Sequence, residues 1–312
     1  MTVEPLAELS MTWVTAVLIS TTLFAVVVVL DKRLTTNLFP SAGAFNVGFG
    51  VMQACVAVVY FAFVIPGAGF DGGSGIPWAM ASGLFWGLGL FFFFHGLRLE
   101  EVSRAVPVQQ MGPVFAAVVA VLFLDESLTA FQWVAVVFVI GGAVLVSARP
   151  EQGLFRIARG RAFFLLLAGS FSMGMAFVVS EQATREMNVW AIQAVRSATM
   201  CVSIFLLSAR PVTVRQFRSA SRNLYNLWML VLAEGVLAPL AALAFIIALD
   251  LGPVSSVSVV SASRPLLTLM LGVALSTRYW NVLNEPLDRE TLGFKTLAVV
   301  MIVGGVGVLS LG

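Results

Sequence analysis

LRLEEVSRAVPVQQMGPVFAAVVAVLFLDESL, residues 97–128, and LDLGPVSSVSVVSASRPLLTLMLGVAL, residues 249–275, are two copies of one pattern. A shift of 152 residues, from Leu97 to Leu249, also places Leu99 on Leu251, Val102 on Val254, Ser103 on Ser255 and Pro113 on Pro265. Each copy runs from a polar turn into an apolar stretch with a proline inside it. Each then reaches an acidic turn, Glu126-Ser127-Leu128 in the first copy and Glu285-Pro286-Leu287 in the second, where an insertion around STRYWNV intervenes. Beyond the turns, IGGAVLVS (140–147) matches VGGVGVLS (303–310).

Working outward, the apolar stretches of the repeat are two of ten. They run near 12–30, 43–65, 77–97, 102–124, 130–147, 162–184, 189–209, 224–249, 253–277 and 291–311. Each suits the roughly 20 apolar residues that a helix needs to cross hydrocarbon. Strands of a membrane barrel would alternate over about 10 residues, and these runs are longer and continuously apolar. Apolar residues make up 59% of the chain and charged residues 11%, which excludes a soluble fold and makes the lipid bilayer the solvent. The expected fold is therefore all-α, with ten transmembrane helices in two inverted five-helix repeats. An odd number of spans per copy sets the copies in opposite orientations, the plan of many secondary transporters. The first repeat covers 1–148, the second 162–312, and the basic stretch 149–161 links them.

Lys and Arg concentrate in the loops after odd-numbered spans, among them Lys32, Arg33, Arg98, Arg104, Arg215 and Arg218, while the loops after even-numbered spans hold only Arg185. The positive-inside rule then puts the odd loops in the cytoplasm and both termini outside. The first residues, MTVEPLAELS, have no basic residue, so no cleaved signal peptide is expected. Cys55 and Cys201 both lie inside apolar spans and read as small core residues rather than a disulfide. A net charge of +2 spread over short loops argues against a nucleic-acid partner.

A turn with Ser and Val, a mid-helix Pro, an apolar run to a Leu-x-Glu turn and a span with paired Gly together resemble the EamA-like repeat of the drug/metabolite transporter superfamily. The resemblance is clearest at 96–147 and extends over nearly the whole chain. It implies a helical exporter or exchanger of the cell inner membrane, acting on amino acids, other metabolites, nucleotide sugars or sugar phosphates, with no cofactor. The expected partners are a small solute and the bilayer, with a homodimer possible through the glycine pairs. Glu126 and Glu285 resemble the family's motif acid and read as helix-start residues that favour the dipole.

Charged groups deep in a span are costly and mark functional sites. Arg196, Glu234 and Arg264 each lie seven to eleven residues into spans 7, 8 and 9. Guanidiniums at that depth suit a carboxylate or phosphate. Glu234 either balances one Arg, locking the spans together, or takes a solute amine or a proton. Pro265 and Pro113 each lack a backbone donor and loosen the turn before them. Beside Pro113 stand Gln109 and Gln110, able to bind polar solute groups or neighbouring helices. Asn46 and Gln53, seven residues apart, share a face of span 2 and are expected to face the same cavity. His95, the single histidine, sits at the end of span 3 and reads as an interfacial polar residue. Trp86, Phe91 to Phe94, Trp190 and Trp228 supply either cavity walls or lipid contacts. The chain has no H-E-x-x-H zinc site and no G-x-S-x-G elbow, so an enzyme is not expected, and no filter loop marks a channel.

Overall fold

The computed structural model describes residues 13–70, 73–123, 129–146, 160–251, 257, 260–261, 263–276 and 289–311. The first 12 residues, most of the 149–161 linker, and Glu126 and Glu285 lie outside the described residues. Among those described, every regular element is a helix. We number them α1 (Trp13–Arg33), α2 (Ala42–Val59), α3 (Ile76–Leu99), α4 (Val102–Gln109), α5 (Gly112–Phe123), α6 (Ala130–Val146), α7 (Arg161–Thr184), α8 (Val189–Ser208), α9 (Pro211–Ser221), α10 (Leu224–Leu230), α11 (Ala238–Leu251), α12 (Arg264–Ser276) and α13 (Arg289–Leu311). Three π-helical segments extend or join them: Leu34–Leu38 after α1, Tyr60–Val64 after α2, and Val231–Leu237 between α10 and α11.

Six of these helical stretches are long and apolar enough to cross a membrane: Trp13–Leu38, Ala42–Gly67, Ile76–Leu99, Arg161–Thr184, Val189–Ser208 and Leu224–Phe245. Shorter apolar helices cover Ala130–Val146, Arg264–Leu275 and Leu292–Val308. Their outer faces carry bare apolar side chains such as Phe63, Phe131, Val137 and Leu206, as lipid demands and water would not. The chain is a multi-pass membrane protein.

Helix starts follow local chemistry. Ser41 Oγ accepts from the Ala44 N–H at 3.1 Å and Asn188 Oδ1 from the Ala191 N–H at 2.8 Å, each satisfying an amide that has no partner inside its own helix. At the opposite ends, Lys32 and Arg98 serve the carbonyls. Lys32 Nζ donates to the Leu97 and Glu100 carbonyls at 2.8 Å each. Arg98 donates to Phe39 O at 3.1 Å and Pro40 O at 2.8 Å. These bonds stitch the α1–α2 and α3–α4 turns together with charges that suit helix C-termini. The stretch 211–221, expected as a polar connection, is instead the amphipathic surface helix α9, whose Phe217 ring stacks on Phe39 at 6.1 Å.

Packing pairs the elements in a regular way. α3 lies on α7 as α1 lies on α11; α5 and α4 lie on α7 as α12 lies on α1; α2 meets α8, α6 meets α13, and α4 meets α12. Glycine allows the closest of these approaches. A Cβ on Gly83 would stand 2.6 Å from the Arg196 carbonyl, and one on Gly142 or Gly305 2.8 Å from the carbonyl of Ala298 or Ala135. Gly142 and Gly305 thus seat α6 against α13 within the chain.

The spans expected at 102–124 and 253–277 are both interrupted. In the first, Gln110 and Met111 form a tight turn, the Met111 N–H reaching back to Val108 O at 3.2 Å, and the helix restarts at Gly112. In the second, the Leu266 N–H bonds Ser263 O at 2.9 Å and the helix restarts at Arg264. Pro113 and Pro265 are the second residues of the restarting helices, where a missing donor costs nothing.

Candidate functional site

The two interruptions face one cavity of about 530 Å³. Its walls come from the middle of the bundle. α1 gives Phe24, Val27, Val28 and Asp31; α2 gives Phe49 and Gln53; α3 gives Trp86, Phe93 and Phe94. α8 gives Gln193, Arg196 and Ser197, and the π-helical segment before α11 gives Glu234. Gln109, Gln110, Gly112 and Pro113 line it at one interruption, Ser261 and Arg264 at the other.

Neither arginine is paired with an acid among the described residues, whose ion pairs include Glu101 with Arg104 and with Lys295. The Arg264 guanidinium lies over the Phe24 ring, Cζ 4.5 Å from its centroid, and its Nε is buried with no hydrogen-bond partner. The Arg196 guanidinium lies over Trp86 at 5.6 Å. Such cation–π seats hold a guanidinium in place without neutralising it. Trp86 Nε1 and Asp31 Oδ1 are likewise buried with no partner. Buried polar atoms are normally satisfied, and these three unsatisfied atoms all belong to cavity-lining side chains.

Glu234 meets Asp31 and not an arginine: the two carboxyls stand side by side. An Arg–Glu lock of spans 7, 8 and 9 is therefore absent. Gln109 Nε2 donates to Met173 Sδ at 3.2 Å, and its carbonyl accepts from Ser170 Oγ at 2.8 Å. Of the residues singled out from sequence, the cavity gathers Arg196, Arg264, Glu234, Gln109, Gln110 and Gln53. Asn46 does not line it; it is fully buried, with both amide atoms unpaired. Sequence reasoning passed over Asp31, which stands directly before Lys32 and Arg33 and reads as part of a loop. The signal was its spacing, since Phe24, Val27, Val28 and Asp31 recur at helical intervals. His95 stays local, its Nδ1 2.7 Å from the Phe91 carbonyl. Trp228 is largely exposed on the outer surface, whereas Trp86 walls the cavity.

At the loop end of the bundle, Glu101 binds Arg104 Nε at 2.9 Å and Lys295 Nζ at 2.7 Å. Burial alone would lift the Glu101 carboxyl, but the two cations outweigh it and hold it below the usual carboxylate range. This cluster ties the α3–α4 turn to α13.

A polytopic helical membrane protein with a charged cavity at the meeting of two broken helices has the design of a solute carrier. The EamA-like transporter family model matches residues 11–148 and again 160–311, and the chain belongs to that family. It is 35% identical over 66 residues to an uncharacterized transporter encoded in the cobO 3' region of Sinorhizobium sp., a match covering 21% of this chain and 47% of that one. It is 29% identical over 72 residues to an uncharacterized protein of Methanocaldococcus jannaschii, covering 23% of this chain and 53% of that one. The chain thus spans about half the length of the curated relatives it matches. One crystal structure superposes with a TM-score of 0.52 at 19% identity, over 95% of this chain and 96% of that one, a likeness of fold.

Proposed function

We propose that this protein is a secondary transporter of the cell inner membrane that moves a small zwitterionic or anionic metabolite, such as an amino acid or organic anion, by alternating access. In this reading the chain has ten spans in two inverted five-helix repeats, residues 1–148 and 162–312. The packing supports the repeat: exchanging each span for the one five places on turns the α3–α7 contact into α1–α11 and the α5–α7 contact into α12–α1. Rocking of one repeat against the other exposes the cavity to alternate sides.

The observation that carries the reading is the unneutralised pair Arg196 and Arg264 in one cavity. Arg264 also opens α12, so the positive end of that helix dipole and the guanidinium act on the same space. A carboxylate there gains bidentate hydrogen bonds and a compensating charge. Gln109, Gln110 and Gln53 offer hydrogen bonds to the rest of the solute, and Phe24, Trp86 and Phe93 an apolar wall. Purified protein in proteoliposomes, given radiolabelled L-phenylalanine, L-glutamate, succinate and the cation ethidium, tests this. Uptake of an amino acid or of succinate, lost in both Arg196→Ala and Arg264→Ala at normal reconstitution, is the expected result. Uptake of ethidium alone favours instead a cation exporter using Glu234, and uptake of the anions by both arginine variants at the wild-type rate refutes the site.

A further inference from the structure

Asp31 and Glu234 come from opposite halves of the chain and meet inside the cavity. Asp31 closes the cavity-facing stripe of α1. Glu234 sits mid-way along the π-helical segment Val231–Leu237, a rare geometry that recurs at functional sites. The two are only 3% and 2% exposed, their carboxyls stand close together, and both line the cavity. Asp31 Oδ1 has no partner.

Among the described residues, no cation forms an ion pair with either of them. The groups that could are engaged elsewhere on every element packed around the pair. Lys32 serves the carbonyls at Leu97 and Glu100, Arg98 those at Phe39 and Pro40, and Arg104 the Glu101 carboxylate. Arg33 lies toward Tyr225 of α10, His95 of α3 beside the Phe91 carbonyl, and Arg264 of α12 over Phe24. α2 brings no charged residue, and α11 brings none from Ala238 to Leu249.

Two carboxyls this close share a hydrogen bond when one carries a proton. Two bare carboxylates at that range in hydrocarbon repel each other strongly. The pair therefore requires one positive charge at all times, and two chemical species can supply it: a proton or the ammonium of a solute. Resting on the transport reading above, we propose that Asp31 and Glu234 form a proton site whose proton is exchanged for the ammonium group of a zwitterionic solute, so that solute and proton cross in opposite directions. The solute carboxylate lies toward Arg264 and Arg196. Its ammonium N–H groups donate to the Asp31 and Glu234 oxygens, and the displaced proton passes to water on the open side. Each state therefore carries the same net charge of −1 at the pair, and neither leaves two carboxylates uncompensated as the halves rock.

Two measurements decide this. Infrared spectra of the reconstituted protein should show a protonated-carboxyl stretch that disappears in Asp31→Asn, in Glu234→Gln and in the double variant, each checked for a monodisperse elution profile. Calorimetric titration in two buffers of different ionisation heat counts protons. L-phenylalanine should release about one proton per molecule bound and succinate none, and in pyranine-loaded vesicles a phenylalanine gradient should drive protons the opposite way. A carboxyl stretch that survives all three variants overturns the proton site. Binding of phenylalanine with no proton released, or proton movement in the same direction as the solute, overturns the exchange while leaving the transport reading intact. If none of the four solutes binds or moves, the transport reading fails and the exchange with it.

Discussion

The two helix interruptions occupy matching places in the chain and are filled in opposite ways. The 152-residue shift sets Gly112 on Arg264 and Gln109 on Ser261, and in both copies the helix restarts one residue before a proline. At Gly112 the break lends the cavity no charge and packs its backbone against α7: a Cβ on Gly174 would lie 2.6 Å from the Gly112 carbonyl oxygen. At Arg264 the same space holds a guanidinium over Phe24 of α1, the helix that takes the place of α7 in the packing. The repeat thus supplies a backbone that breaks twice, and one side chain per break decides whether it is a joint or a binding pole.

The largest effect should come from removing that pole. Arg264→Ala is expected to lower transport of an anionic or zwitterionic solute by roughly a hundredfold, near 3 kcal/mol of lost charge-assisted bonding. Arg264→Lys keeps the charge but loses the planar fork, and about tenfold loss is expected. Initial rates in proteoliposomes at equal reconstitution read both. Equal rates for the lysine variant and the wild type would mean that charge alone matters and that the contrast with Gly112 is one of charge, not geometry.

The uncharged break answers to packing instead. Gly174→Ala pushes a methyl into a backbone oxygen that has no side chain to move, so about 1–3 kcal/mol of stability should be lost. Gly112→Ala meets nothing nearer than 3.5 Å and should leave stability close to the wild type. Thermal unfolding in detergent separates the two, and a Gly112→Ala protein as unstable as Gly174→Ala would show that the joint needs glycine on both sides.

How much of this was open to reading from the chain varies with the physics involved. The helical, membrane-spanning character announces itself because hydrocarbon permits little else, and Pro113 and Pro265 mark where two apolar stretches give way. Arg196, Glu234 and Arg264 stand out because charge is rare in such surroundings. The partner of Glu234 was hidden. Asp31 neighbours Lys32 and Arg33, a composition that reads as a loop, whereas α1 and its π-helical extension run on to Leu38 and carry Asp31 inward. Which acid faces which base depends on helix rotation and on contacts between residues some 200 positions apart, and single-chain periodicity fixes neither. The helix at 211–221 was hidden for a related reason: its basic residues look like a connection until Phe217 finds Phe39.

The loop-end cluster offers a smaller effect with a definite pH signature. Glu101→Gln removes the carboxylate shared by Arg104 and Lys295 and should cost about 1–3 kcal/mol at neutral pH, seen as a Tm lower by a few degrees. The folded Glu101 carboxyl sits below its ordinary range. Its contribution is thus complete above the ordinary value and is lost as pH falls through the lower, folded one. The gap in Tm between wild type and variant should therefore be full near neutrality and narrow as the pH falls below the ordinary carboxylate range. A gap that persists in acid would assign the loss to packing at the α3–α4 turn.

The smallest effect tests how sharply the cavity ends. Gln53 and Asn46 share a face of α2, yet Gln53 lines the cavity and Asn46 is sealed among its neighbours with its amide unpaired. A membrane hydrogen bond is worth about 0.6 kcal/mol on average, so Gln53→Ala should raise KM about threefold. Asn46→Ala removes no solute contact and should leave KM unchanged, whatever it does to stability, because its amide has no bond to lose. KM for each variant, measured beside its Tm, decides. If Asn46→Ala raises KM as much as Gln53→Ala while Tm is unchanged, the solute path reaches two turns further along α2, and the pole at Arg264 is one end of a longer groove.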